Sequence, residues 1–219
     1  MYPTDPPDPL GHRDSIPHAS FRDVYPAGRD RPAVRAELGI ALDAFVFLCF
    51  GHIRDYKDID VLVEAFSSVT ADRAVLIVAG LPLSDTAADT LCTAAAADVR
   101  IKPLLGYVPN ERVAELFSAS DVAVISRGDG GTSGVLVLAL ALGVPVITAA
   151  QPAYEELTAD GLAGWYFHPG DTHSLAAAFE TAAGNRESVR AKASVAAQRG
   201  ALMDWEEMAE LTASVLRGS

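Results

Sequence analysis

Two short loops hold residue types that suit an anion. In GHIRDYKD, Gly51 to Asp58, a glycine ends an apolar run and two cations, Arg54 and Lys57, follow at once. The glycine lets the backbone turn close to a ligand, and together the cations could neutralise a diphosphate. In RGDGGTSGVLVLALALG, Arg127 to Gly143, a glycine-rich turn runs straight into an apolar segment. If a helix begins near Gly134, then Ser133 or Thr132 is its N-cap, and the unpaired N–H groups of its first turn form a dipole-assisted anion site. Glycines at 128, 130, 131 and 134 would permit close approach. Each loop also has a plainer explanation: two solvated basic residues in the first, and a turn with an ordinary serine cap in the second. Neither has the spacing of a Walker P-loop or a GxGxxG fingerprint, which weighs against ATP hydrolysis and nicotinamide chemistry.

The chain around them has 219 residues, half of them hydrophobic, with 17 Lys plus Arg against 29 Asp plus Glu. That composition supports a substantial core and excludes disorder. A formal charge of -12 argues against a nucleic-acid surface, which needs a basic footprint, so any anion site must be local. Cys49 and Cys92 lie in apolar or alanine-rich runs without a CxxC spacing, and are expected to be buried free thiols of a reducing compartment. The polar, proline-rich start is unlike a signal peptide, and the apolar stretch Val135 to Leu142 is too short to span a bilayer. A cytoplasmic protein is expected, with a peripheral membrane contact left open.

Residues 1–28 carry six prolines and little periodicity, and read as an extended lead-in. From there, apolar runs alternate with helical patterns. AFVFLCF, AVLIVAG, VRIKPLLG, DVAVIS, VPVITA and AGWYF are the expected strands, and a helical tail shows breaks near Gly184 and Gly200. Strands apolar throughout are buried on both faces, and alternation with helices implies parallel pairing by right-handed crossovers. The fold expected is therefore a doubly wound, Rossmann-like parallel α/β domain over residues 29–219, closed by helices from about residue 185. Its ligand belongs at the carboxyl ends of the strands, where the loops Gly51–Asp58, Gly106–Pro109 and Arg127–Ser133 should converge.

The series FGHIRDYKDIDVLVEAF, LIVAG, LLGYVPNERVAELFSASDVAVIS, TSGVLVLALALGVPVITA and DWEEMAELTASVL, in this order and spacing, resembles the carboxyl-terminal donor-binding domain of a GT-B glycosyltransferase of family 4. The resemblance runs from about Ile16 to Leu216. It implies one GT-B half that uses a nucleotide diphosphate sugar as donor, transfers the sugar with retention, and needs neither a metal nor another cofactor. Carried over by position, Lys57 keeps its expected separation from Gly51, His52 stands where the family's diphosphate-binding arginine is usual, and Asp58 replaces a common glycine. Gly106, Tyr107 and Val108 would hold the nucleobase through their backbone.

The family's two acids around the glycine-rich turn fall on Gly130 and Leu138, so both are absent. Losing an acceptor for the ribose costs roughly 1–3 kcal/mol if nothing replaces it. Asp129, one residue before the first of these positions, is the candidate to touch the donor sugar, although loop aspartates commonly cap turns. Leu138 reads as a packed core position. His18 stands at the family's hinge position, and Asp171 reads as the cap of THSLAAAF.

A GT-B catalyst works between two halves. The expectation is accordingly a donor domain that is inactive alone, paired with an acceptor domain or subunit and exposing apolar surface around Trp205, with self-association through that face as a variant. The alternative from another class is a noncatalytic nucleotide-binding or partner-binding protein on a degenerate transferase scaffold.

Overall fold

The computed structural model describes residues 18–21, 24–26, 28–128, 133–203 and 205–218. Six strands form the sheet: β1 (Phe45–Phe50), β2 (Ala74–Gly80), β3 (Ile101–Leu105), β4 (Val122–Ile125), β5 (Val146–Ala149) and β6 (Gly164–Phe167). All pairs are parallel and the order is β3-β2-β1-β4-β5-β6. Chain order reverses direction between β1 and β4, which creates a crevice at their carboxyl ends.

Side chains of β1 alternate between two cores. Phe47 and Cys49 face α2 (Ile59–Ser67), α3 (Asp85–Ala97) and α7 (Thr172–Ala183), while Val46 and Leu48 face α4 (Asn110–Ala119), α5 (Gly134–Ala141) and α8 (Arg186–Ala201). Burial on both faces is why these strands show no polar alternation in sequence. On the first face Phe47 meets Phe179 and Phe66 edge-on, with ring centroids 4.6 and 6.2 Å apart, a favoured aromatic arrangement.

One expectation changes in three dimensions, and one glycine gains a second role. Cys49 is buried but Cys92 is exposed. Its neighbour Leu91 and, four residues earlier, Ala87 occupy the buried stripe of α3, and one residue further on the helix turns by 100°, which carries Cys92 to the outside. The tail does break near Gly184 and Gly200, since α7 ends at Ala183, α8 ends at Ala201 and the next helix starts at Trp205, but Gly200 has a packing role as well. It lies inside α8, where a Cβ would stand 2.4 Å from the Leu140 carbonyl oxygen and 2.6 Å from the Ala141 Cα. This glycine lets α8 pack backbone to backbone on α5, and the helix ends one residue later, at Ala201.

The amino ends of the strands are tied by a charged network. α1 (Arg31–Glu37) follows its cap Asp30, whose side chain accepts from Ala33 N. It carries Arg35, fully buried, which donates to Ala119 O at 2.8 Å, to Leu42 O and Ala44 O at 2.9 Å, and to Asp121 Oδ2 at 2.9 Å. Asp121 also accepts from Val46 N at 2.7 Å and pairs with Arg31.

At the carboxyl end of β5, the Thr148 hydroxyl and both side-chain polar atoms of Gln151 are buried without a hydrogen-bond partner. An orphaned buried hydroxyl carries a desolvation cost with no return. Thr148→Val, which keeps the shape, is therefore expected to hold or raise stability, by up to about 1 kcal/mol. A thermal melt checks this, and a clear drop in Tm would show that the hydroxyl is satisfied in solution.

Candidate functional site

A cleft of about 430 Å³ opens at the switch between β1 and β4. Its floor is Cys49 and Phe50 from the end of β1 and Val124 and Ile125 from β4. Its walls are the loops that leave the carboxyl ends of β1, β3 and β4. Gly51, His52, Tyr56 and Lys57 come from the first, Tyr107 and Val108 from the second, and Arg127, Ser133 and Gly134 from the third.

Close backbone approach builds the floor. Gly51 has φ +95°, a conformation that favours glycine. A Cβ there would also stand 3.3 Å from Lys57 Nζ and 3.4 Å from Val135 Cγ2, so the bare glycine lets the ammonium and the start of α5 close around the strand end. Gly80 ends β2 directly against it: a Cβ at Gly80 would lie 2.1 Å from the Gly51 carbonyl oxygen.

Lys57 ends a 3-10 turn, Asp55–Lys57, and donates to Phe50 O at 2.7 Å. Ser126 donates to the Lys57 carbonyl and so ties the turn to β4. Burial holds the Lys57 pKa below the ordinary lysine value, and repulsion from Arg127 and Arg54 lowers it further, while Cys49 opposes the shift. Such an ammonium is poised to gain from an incoming anion, which would offset both the desolvation and the repulsion. The next residue, Asp58, has φ 48° and ψ 49°. This left-handed geometry explains why a glycine is at home there, and aspartate is among the residues that tolerate it.

Facing Lys57, α5 starts as expected at Gly134, capped by Ser133, whose hydroxyl accepts from Leu136 N at 3.2 Å. Gly134 and Val135, which carry the first amides of the helix, line the cleft, and a helix start of this kind attracts negative charge. Leu138 is buried among apolar neighbours and also reaches the cleft.

The structure thus brings together Gly51, His52, Lys57, Tyr107, Val108, Ser133 and Gly134. It does not bring in Arg54 or Gly106. Arg54 is exposed, with its guanidinium 6.0 Å from the Tyr56 ring centroid, and is not among the lining residues. Gly106, at φ +136°, turns the chain after β3 and does not line the cleft. Asp129, Gly130, Gly131 and Thr132 lie outside the described residues. His18 is exposed, and its ring lies tilted against Phe21 with centroids 5.1 Å apart.

Sequence reasoning missed Arg127, Tyr56, Asn110, Phe21 and Tyr25, all of which line the cleft. Arg127 was open to the same rule that selected Lys57, a cation just past the carboxyl end of a strand. Phe21 and Tyr25 come from the lead-in, where no periodicity marks them. Among the described lining residues none is Asp or Glu. Among the described residues, no group of three His, Cys, Asp or Glu side chains could hold a metal, and no helix is long and apolar enough to cross a membrane. On α9 (Trp205–Gly218), Trp205 is 59% and Leu216 73% exposed, so apolar surface lies where it was expected.

The fold and cleft define a doubly wound α/β domain with an anion-suited crevice at its topological switch point. The chain belongs to the family described as Glycosyl transferases group 1, whose profile matches residues 30–199, and its fold is that of one GT-B half. It is 30% identical over 154 residues to a GDP-mannose:glycolipid 4-beta-D-mannosyltransferase of Xanthomonas campestris, covering 70% of this chain and 42% of that protein. It is 33% identical over 174 residues to a D-inositol 3-phosphate glycosyltransferase of Geodermatophilus obscurus, covering 75% of this chain and 39% of that one. The chain therefore spans about two fifths of the length of these relatives. Among solved structures, sucrose-phosphate synthase from Thermosynechococcus elongatus superposes with TM-score 0.78 at 24% identity, over 93% of this chain and 51% of that one. Anabaena HepE in complex with UDP superposes with TM-score 0.76 at 21% identity, over 89% and 57%. Likenesses at such identities speak for the fold alone.

Proposed function

We propose that this domain binds the donor of a glycosyl transfer, a nucleoside diphosphate sugar, in the cleft between β1 and β4. The observation that carries the proposal is the partly buried Lys57 ammonium facing the first amides of α5 across a cleft whose described lining holds no carboxylate. That pairing suits a diphosphate. It would matter most during transfer, when negative charge grows on the leaving diphosphate and fixed positive groups stabilise it. Tyr107, 75% exposed, and Val108 line the same cleft, which supports the reading that they hold the nucleobase. The family resemblance supports retention at the anomeric carbon and an acceptor held by a second half-molecule against this one. The absence of the two expected acids at Gly130 and Leu138 favours a second reading, a nucleotide-binding relative without transfer activity.

Calorimetric titration with UDP, GDP and ADP tests the binding. One nucleotide is expected to bind, and Lys57→Ala to weaken it by roughly 10- to 100-fold, the worth of a charged hydrogen bond of about 1.5–3 kcal/mol. No binding of any of the three at millimolar ligand would overturn the proposal. Turnover of a sugar nucleotide by the protein together with its acceptor half separates the transferase from the noncatalytic reading.

A further inference from the structure

We propose that Arg127, on the loop between β4 and α5, is the second cation of the diphosphate site, in the role that loop spacing gave to Arg54. The inference rests on the reading of the cleft as a diphosphate site and names the residue that completes it. Arg127 lies two residues past the end of β4 and lines the cleft, whereas Arg54 does not. Its guanidinium stands 4.7 Å from the centroid of the Tyr56 ring, and Arg54 lies 6.0 Å from the same centroid. Tyr56 immediately precedes Lys57 in the 3-10 turn. One aromatic ring, fixed to the lysine by a single peptide bond, thus positions the arginine of a different loop, a contact that draws strength from the ring's negative face.

The charge distribution gives this contact its meaning. In a chain of net charge -12, the described cleft residues include Lys57, Arg127 and His52 but no acid. Asp58, whose Oδ2 lies 3.7 Å from where a Cβ at Gly128 would stand, is near this loop but is not among the lining residues. Converging like charges cost free energy, and a multiply charged anion seated between them offsets that cost. The division of labour follows from shape. Lys57 offers a compact point charge from below, whereas the planar guanidinium of Arg127 can donate two parallel hydrogen bonds to oxygens of one phosphate or of two. Arg127 also sits on the loop that leads into α5, so the anion it grips is held toward the helix amides at Gly134 and Val135. Lys57 beyond β1 and Arg127 beyond β4 would then meet the diphosphate from both sides of the switch point.

The test is titration of the whole chain with the nucleoside diphosphate that binds best and with its parent nucleoside, on the wild type, Arg127→Ala, Arg127→Lys and Arg54→Ala. Arg127→Ala is expected to lower diphosphate affinity about tenfold or more, as loss of a charge-assisted contact should. Nucleoside affinity should stay within about twofold, Arg127→Lys should fall between, and Arg54→Ala should change diphosphate affinity by less than about threefold. Diphosphate affinity unchanged in Arg127→Ala would overturn this inference and leave the donor site standing. An equal loss of nucleoside affinity would also overturn it, because Arg127 would then act by shaping the loop rather than by meeting phosphate. Should the wild type bind no nucleoside diphosphate, both the inference and the proposed function fall together.

Discussion

Arg35→Met is expected to destabilise the protein by about 3–5 kcal/mol, a large share of the roughly 5–15 kcal/mol that holds a domain folded. The side chain is fully buried and reaches the Asp121 carboxylate and four backbone carbonyls, that of Ala41 only at 3.5 Å. Methionine would fill much of the volume and return some packing, worth about 1–2 kcal/mol at most for its apolar stem. It would leave the carbonyls of Leu42, Ala44 and Ala119 without their donor and remove a buried partner from Asp121. The orphaned polar groups outweigh the packing gain. Because the network joins α1, the start of β1 and the start of β4, the loss should appear as a single cooperative shift in the urea midpoint. A shift worth less than about 1 kcal/mol would mean that the network contributes little beyond what water supplies. Nucleotide affinity should change little in protein that remains folded, since Arg35 lies at the opposite end of the strands from the cleft.

Gly80→Ala should damage both stability and binding. The new methyl would lie 2.1 Å from the Gly51 carbonyl oxygen and 2.6 Å from its carbon, and both are backbone atoms that cannot rotate away. The strands meet here through the Gly51 N to Ala79 O hydrogen bond of 2.9 Å, so relief requires the ends of β1 and β2 to part. Overpacking of this kind costs about 3 kcal/mol or more when the obstacle is main chain. Gly51 carries the turn that sets Lys57, so the displaced strand end moves the ammonium and should lower nucleoside diphosphate affinity by about tenfold or more. Thermal melting and calorimetry on the same sample check the two parts. Wild-type Tm with weakened binding would mean that the strain is absorbed locally in the Gly51 loop, whereas an unchanged affinity would show that the loop is not held by this contact.

The fold was legible because its signals are local. Unbroken apolar runs of strand length mark each of the six strands within a residue or two, and the caps Ser133 and Asp171 mark the starts of two helices. The rule that ligands bind at strand carboxyl ends then pointed to three loops, and residues of all three do line one cleft. The site was only partly legible, because spacing places a residue in a loop but leaves its side chain's direction open. Arg54 and Lys57 share one short loop. The 3-10 turn sends Lys57 back to the Phe50 carbonyl and leaves Arg54 exposed beside Tyr56, outside the cleft lining.

The sequence by itself determined a buried parallel sheet, the loops that could bind an anion and the helix start capped by Ser133, since each depends on neighbours a few residues away. Tertiary structure decided which cations meet. Arg127 comes beside Lys57 because β4 lies next to β1 in the sheet, a pairing between segments some seventy residues apart. It decided too that Cys92 faces outward and that Gly200, beside the break that ends α8, also serves a helix contact. Those outcomes turn on the angle of a helix against the sheet and on the close approach of distant backbones, and such distances enter only when the whole chain has packed.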